Sequence, residues 1–164
     1  MDKNDVINGL SSIISKKKII INDKELSKYN IDWRGFYNFK SICAIFPKSP
    51  KEISKILNFC FINNIKVVPQ SGNTSLTGAS VPSKNNYEII IKLNEMNKIL
   101  SIDKVNMLVE VESGATLDSV KKFVEKNNFY FPLSLSSSGS CLIGGNIATN
   151  AGGINALKYG TIRD

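Results

Sequence analysis

The sequence predicts an α/β fold built on a mixed sheet, and three observations carry that prediction. A strand, a helix and a second strand follow one another between Ser41 and Pro69. Three more short apolar strands come after them, joined by brief polar connections. The helical segments open on cap residues and show apolar spacings of three and four. At 164 residues and 42% hydrophobic composition the chain can bury a core as one domain or as two small lobes of one. No apolar run nears the ~20 residues needed to cross a bilayer. The N-terminus, Met1-Asp2-Lys3-Asn4-Asp5, is polar with no long apolar stretch behind it, so no secretory signal is expected and the expected compartment is the cytoplasm.

The first forty residues read as an amphipathic helix from about Asp5 to Ile14, a short apolar strand at Ile19–Ile21 and a polar connector, with the aromatic-rich Asp32-Trp33-Arg34-Gly35-Phe36-Tyr37 as a packed loop. Residues 1–40 thus form a helical and linker segment ahead of a domain over 41–164. Ser41–Phe46 is a strand that stops at Pro47. Ser49-Pro50-Lys51-Glu52 then sets a hydroxyl at the N-cap, proline at the first helical position and an acid in the first turn. Ile53, Ile56, Leu57, Cys60 and Phe61 give that helix an apolar face, Asn63-Asn64 ends it, and Lys66-Val67-Val68-Pro69 returns as a strand. The expectation for such a βαβ unit is parallel pairing with a right-handed crossover. Glu88–Leu93, Ile99–Ile102 and Met107–Ser113 follow as strands suited to antiparallel pairing. Thr116-Leu117-Asp118 opens a further helix, with Leu117, Val120, Phe123 and Val124 on one face, closing at Asn127-Asn128. Phe129–Asp164 is rich in Gly, Ser and Asn.

Composition excludes several functions. Net charge is +7, but only Arg34 and Arg163 among the 21 basic residues are arginine, and Lys, Asn and Ile together make an excess that reflects AT-rich coding. A solvated lysine surface explains the charge better than nucleic-acid contacts, which favour arginine and interleaved aromatics. Cys43, Cys60 and Cys141 are odd in number and widely spaced, which fits neither a zinc site nor a disulfide framework. The chain has no histidine, so histidine-activated nucleophiles, histidine acid–base chemistry and histidine metal ligands are absent from it. No catalytic residue and no metal ligand is expected here.

Two glycine-bearing segments stand out. The first, Pro69-Gln70-Ser71-Gly72-Asn73-Thr74-Ser75-Leu76-Thr77-Gly78-Ala79-Ser80, follows a strand. Its small residues, with Gly and Asn tolerant of positive φ, let successive amides converge on a phosphate, and the hydroxyls of Thr74, Ser75 and Ser80 can add donors. It contains no cation, and it is neither a P-loop nor a dinucleotide-binding glycine turn. An ordinary solvent loop of turn formers is the alternative. The second, Gly139 to Gly153, lies in a stretch up to Gly160 that holds six of the eleven glycines. There, small residues would let backbone approach a flat, bulky ligand, with Asn146, Thr149 and Asn150 at its edge. A tight turn packed on the sheet is the alternative. Two such segments on a mixed sheet favour a large phosphate-bearing cofactor.

Together, Val68-Pro69-Gln70-Ser71-Gly72-Asn73-Thr74, Gly78-Ala79-Ser80-Val81-Pro82, Phe131-Pro132-Leu133, Gly139-Ser140-Cys141, Ile143-Gly144-Gly145-Asn146-Ile147-Ala148-Thr149-Asn150-Ala151-Gly152-Gly153 and Tyr159-Gly160 resemble the FAD-binding domain of the vanillyl-alcohol-oxidase/p-cresol-methylhydroxylase (PCMH-type) flavoproteins. Within that group the chain is most similar to the D-2-hydroxyglutarate and D-lactate dehydrogenase branch, from about Ser41 to Asp164. Pro-Gln-x-Gly-Asn-Thr fits that branch better than an enolpyruvyl reductase of the same fold.

The resemblance implies an N-terminal βαβ subdomain and a second, largely antiparallel sheet, with FAD extended between two lobes. By position, Pro69, Ser71, Gly72, Asn73, Thr74 and Ser75 would take the pyrophosphate with Ser80 near it. Gly139, Ser140, Gly144, Asn146, Thr149 and Ala151 would line the ribityl chain and isoalloxazine. Ser71, Ser75 and Ala79 stand where many relatives carry Gly, and a Cβ at Ser71 is costly if that position needs positive φ. Flavin attachment through histidine cannot occur here, Cys141 is expected to be a small packed residue, and FAD is expected to be noncovalent. Family members continue well past Asp164, so the implied chain is the N-terminal part of a longer enzyme. Its partners would be a small 2-hydroxyacid and an electron acceptor such as electron-transfer flavoprotein, a quinone or a cytochrome, with no nucleic acid. Any divalent metal would belong to the remaining half, and the full protein could be peripheral to a membrane. On its own, the 164-residue chain would be poorly soluble or hold FAD weakly. A non-catalytic nucleotide-binding module is the reading from another class.

Overall fold

The computed structural model describes residues 1–84 and 87–164. The chain divides into two units, Met1–Glu95 and Met96–Asp164.

The first unit is a four-stranded sheet covered by helices. It contains α1 (Lys3–Ile13), a 3-10 turn (Lys16–Lys18), β1 (Ile19–Ile20), α2 (Asp23–Asn30), β2 (Cys43–Ile45), α3 (Pro50–Ile62), β3 (Lys66–Gln70) and β4 (Glu88–Lys92). Asp2 opens α1 with a capping box in which the Asp2 carboxylate accepts from the Asp5 amide and the Asp5 carboxylate from the Asp2 amide. Ser49 caps α3 as the sequence predicts, accepting from the Glu52 amide, with Pro50 at the first turn.

The strand order is β1-β2-β4-β3, and this corrects two expectations. β4 pairs parallel with both β2 and β3 rather than antiparallel, and it lies between the two strands of the βαβ unit, which therefore do not touch. The reason lies in side-chain chemistry. Glu88–Lys92 is buried at every position, so its isoleucines need apolar cover on both faces and only a central place supplies it. β3 carries Pro69, which cannot donate to a ladder, and so takes an edge. β1 joins β2 antiparallel on the other side.

Alternation along the strands separates two cores. Cys43, Ile45, Ile89 and Ile91 face α1 and α3, meeting Val6, Leu10, Ile56 and Cys60. Ala44 and Ile90 face α2 and meet Leu26, with Tyr29 and Val68 at the margin. The polar connector expected after Ile21 contains α2: Asn22 caps it by accepting from the amides of Lys24 and Glu25, and the single buried Leu26 anchors it. In α3 the inward face is Ile56 and Cys60, while Leu57 and Phe61 point to solvent at 45% and 86% exposure. Phe59 turns inward instead, because Gly9 of α1 leaves room for its ring; a Cβ on Gly9 would sit 2.3 Å from that ring.

The second unit contains β5 (Ile99–Asp103), β6 (Leu108–Val111), α4 (Leu117–Lys126), α5 (Ile143–Ala148) and α6 (Ala156–Tyr159). β5 and β6 pair antiparallel, as predicted, with an irregularity between Ile99 and Ser101. Thr116 caps α4 by accepting from the Ser119 amide, and Leu117, Val120 and Val124 are buried from it. They meet Ala115, Leu133, Cys141 and Ile143. The segment 141–144 runs beside 113–117: the amides of Leu117, Ile143 and Gly144 donate to the carbonyls of Cys141, Ala115 and Ser113. α5 falls inside the second glycine segment, where no helix is predicted and a tight packed turn is the alternative, since two glycines mask a six-residue helix.

Because Ile90 is fully buried in the central strand, Ile90→Ala is expected to cost about 2–5 kcal/mol, read as a lowered urea midpoint at unchanged slope.

Candidate functional site

β2, β3 and β4 run parallel, so their C-terminal ends share one edge of the sheet, the place where open α/β sheets bind ligands. The segment 71–80 leaves β3 at that edge. It is fastened to the C-terminus of α2, whose last carbonyls have no partner within the helix. Gln70, fully buried, donates from Nε2 to the Tyr29 carbonyl at 2.8 Å and to the Ser80 carbonyl at 2.6 Å. Asn73 donates from Nδ2 to the Ile31 carbonyl at 2.8 Å, and its Oδ1 accepts from the Ser80 hydroxyl at 2.7 Å. Asn73 sits at φ 53° and Gly78 at φ 71°. These are the left-handed positions of the loop, so the strain expected at Ser71 does not arise: Ser71, Ser75 and Ala79 are not among the positive-φ residues.

With the turn held this way, the amides of Gly72, Asn73, Thr74 and Ser75 donate to nothing among the described residues. The Ser75 hydroxyl meets that of Thr77 at 2.9 Å. A left-handed residue within a row of unpaired amides is the geometry of an anion nest. Pro69 lies in β3 opposite Ile91, below this row.

A cation that the loop's own sequence lacks comes from β4. Lys92 pairs in register with Gln70, is 8% exposed, and donates from Nζ to the Ser71 carbonyl at 2.6 Å. Its ammonium also stands 5.6 Å from the Tyr29 ring centroid. Burial lowers its pKa to about 8. Sequence reading missed it because it closes an apolar strand twenty-one positions from its partner; the only signal was a lysine ending an otherwise apolar run. The Gln70 Oε1 atom is buried without a donor among the described residues.

The aromatic loop 32–37 borders this segment. Asp32 is buried and its carboxylate accepts from the amides of Tyr37 and Arg34, which hold it below the usual carboxylate range. Trp33 and Phe36 are 72% and 74% exposed, so the loop is not the packed one expected. Tyr37 lies against Gly78, and Arg34 donates to the Leu76 carbonyl.

In the second unit the glycine segment has a different character. A Cβ on Gly144 would stand 2.8 Å from that of Ser113, and one on Gly153 would stand 2.0 Å from the Ser134 carbonyl oxygen. Both glycines are required by the chain's own packing. Gly139 has open space around it, and Ser140 beside it is exposed. Asn146 is buried with Nδ2 toward the Cys141 sulfur at 3.6 Å. Thr149 returns its hydroxyl to the Gly145 carbonyl, and Ala151 packs into the core. Asn150 accepts from the Thr161 hydroxyl. Cys141 is buried, as expected of a small packed residue. Burial pushes the thiols of Cys43 and Cys60 up to about 12 and about 11, which makes both poor nucleophiles.

The described residues contain no cluster of metal-ligating side chains and no helix long and apolar enough to span a membrane. The family described as "FAD binding domain" matches residues 42–164. The chain belongs to that family. It is 41% identical over 158 residues to a protein of Oryza sativa subsp. indica named probable D-2-hydroxyglutarate dehydrogenase, mitochondrial, covering 96% of this chain and 28% of the relative. It is 39% identical over 138 residues to a putative mitochondrial D-lactate dehydrogenase of Schizosaccharomyces pombe, covering 84% of this chain and 26% of the relative. The chain thus spans little more than a quarter of these curated relatives. Among solved structures, an alkyldihydroxyacetonephosphate synthase superposes with a TM-score of 0.88 at 20% identity, over 100% of this chain and 32% of that one, and shows the same fold. A p-cresol methylhydroxylase shares it over 91% of this chain, with a TM-score of 0.68. The expectation of a cytoplasmic location is overturned by the curated relatives, which are named mitochondrial; an N-terminus with no apolar stretch speaks only to secretion.

Two outcomes test this geometry. Asn73→Ala loses both side-chain hydrogen bonds and puts a Cβ residue without local compensation at positive φ, whereas Asn73→Gly keeps the backbone free. The alanine variant is expected to be less stable than the glycine variant by about 1 kcal/mol in denaturant unfolding. For Lys92 the native pKa of about 8 lies below the ordinary 10.5. The unfolded chain binds more protons between those values, so the burial penalty is full below pH 8 and is relieved as pH rises toward 10.5. The stability of the wild type relative to Lys92→Met should therefore rise across that window by up to about 3 kcal/mol.

Proposed function

We propose that this chain is the FAD-binding portion of a flavin-dependent oxidoreductase that converts a D-2-hydroxyacid, of the 2-hydroxyglutarate or lactate type, to the 2-oxoacid. The observation that carries this reading is the row of unpaired amides at Gly72–Ser75, on the C-terminal edge of parallel strands, in a chain 41% identical to a relative named for D-2-hydroxyglutarate. Observations within each unit support this reading. The amides and the Ser71, Thr74 and Ser75 hydroxyls offer donors to a pyrophosphate, while the Ser80 hydroxyl already donates to Asn73 and Lys92 offers charge beside the amides; in the second unit, Gly139 has open space around it and Ser140 is exposed.

When bound, FAD supplies a two-electron acceptor for the hydride from C2 of the hydroxyacid. The chain's own residues hold and orient. Ser71–Ser75 would seat the pyrophosphate, with Asn73 and Ser80 keeping the turn rigid. Gly139, Ser140, Gly144, Asn146, Thr149 and Ala151 would line the flavin end, Gly144 by allowing close packing on Ser113 and Asn146 from its buried place. The chain has no histidine to take the hydroxyl proton; a base in the remaining part of the full-length protein would accept it, and electrons would leave to an electron-transfer flavoprotein, a quinone or a cytochrome. The reading takes 41–164 as the FAD-binding domain and 1–40 as the segment ahead of it; the family match at 42–164 supports this. A mitochondrial location accords with the relatives' names.

FAD should be noncovalent, since these residues carry no histidine of the kind used for attachment in some members. Acid precipitation of the flavin-loaded full-length protein should release all flavin to the supernatant; flavin retained on the polypeptide would contradict this. Under anaerobic conditions, D-2-hydroxyglutarate or D-lactate should bleach the visible flavin absorbance, and the L-enantiomers should not. Bleaching by neither D-acid would reject the proposed substrate class.

A further inference from the structure

Lys92 is a cation placed where the fold gains little from it. It is 8% exposed and has no carboxylate partner among the described residues, whose ion pairs are Lys18–Glu95 and Lys122–Asp118. Leaving a buried charge without an opposite charge is costly. Its protein contacts are one carbonyl, that of Ser71, and the face of the Tyr29 ring. An ammonium has three donors, so one remains beyond the carbonyl and the ring. The carbonyl it holds belongs to the first residue of the turn whose next four amides are unpaired. A buried cation, spare donor capacity and a row of free amides thus meet at one turn.

We infer that Lys92 is the counter-charge of the phosphate site, reaching from β4 beneath Ser71 to pair with the pyrophosphate that the Gly72–Ser75 amides cradle. This rests on the FAD reading above and adds a residue to it. The amides alone offer partial charges, whereas a diphosphate carries full ones, and a charge-assisted hydrogen bond in a poorly hydrated site is about twice as strong as a neutral one. The buried ammonium, costly in the empty fold, becomes paired when the phosphate arrives. Its low native pKa of about 8 agrees with an unpaired cation. The groups facing it are the Tyr29 ring of α2, with Lys28 5.0 Å from the centroid of that ring, neutral Gln70 of β3, and on β4 itself Glu88, whose carboxylate is held by Ser83.

The test uses the full-length protein stripped of flavin, and reads FAD affinity from quenching of flavin fluorescence at pH 7 and pH 9 for the wild type, Lys92→Met and Lys92→Arg. Lys92→Met is expected to weaken FAD about tenfold or more at pH 7, because a charged donor is lost. At pH 9 the gap should narrow, because the wild-type ammonium has then largely deprotonated before binding. Lys92→Arg, charged at both pH values, should stay within a few-fold of the wild type at pH 7 and keep that affinity at pH 9. Wild-type affinity in Lys92→Met at pH 7 would overturn the inference and leave the FAD reading intact. So would a deficit equal at both pH values, the mark of a residue that only anchors the Ser71 carbonyl. A wild type that binds no FAD would remove the FAD reading, and this inference with it.

Discussion

The first unit depends on one constraint, the burial of β4 on both faces. Three consecutive isoleucines, Ile89, Ile90 and Ile91, are almost completely removed from solvent. Each contributes on the order of 1.5–3 kcal/mol relative to exposure, and no edge position could supply cover to both sides. The strand therefore takes the middle of the sheet, between β2 and β3, even though it follows both in sequence. That choice sends β3 to the edge, which its proline tolerates, and brings the end of β4 beside the end of β3. The turn that follows β3 and Lys92 are neighbours as a consequence of hydrophobic packing several residues away.

A turn built to leave its own amides free has to be held by something else. Here the holding groups are side chains that reach to α2: Gln70 to the Tyr29 carbonyl and Asn73 to the Ile31 carbonyl, with Ser80 closing on Asn73. The arrangement satisfies carbonyls that a helix end always leaves over, and it fixes the turn without using the amides. The residues that shape the site are thus distinct from the groups the site would present to a ligand. Preorganised amides of this kind need little rearrangement when an anion binds, which is where their advantage over flexible donors lies.

The two glycine segments look alike in sequence and differ in physical role. In the first, positive φ is met by Asn73 and Gly78, and serine is tolerated at position 71 because that residue is not left-handed. In the second, Gly144 and Gly153 are small because Ser113 and Ser134 of the same chain occupy the space a Cβ would need. Gly139, by contrast, opens onto free volume. Richness in glycine therefore reported close approach of backbone to backbone as much as approach to any ligand. The thiols are equally explained by packing: buried in apolar surroundings, Cys43 and Cys60 are held as neutral thiols.

Much of this was legible in the residues alone. Ser49-Pro50 and Thr116 capped the helices they predicted, because a cap is a local hydrogen bond that needs no tertiary partner. The family was legible in the order of its motifs. Strand neighbours were not legible, since parallel pairing is decided by which strand most needs burial, a competition among distant segments. α2 escaped notice because one leucine, Leu26, supplies its buried contact and no periodic stripe announces it. Lys92 escaped notice because its meaning depends on register: opposite Gln70 and under Ser71 it is a buried cation, while in sequence it is one lysine among nineteen. The sequence determined local geometry and donor chemistry by short-range bonding; the tertiary structure decided which strand lies at the centre and which charge lies beneath the turn, because burial sums contributions that no local segment contains.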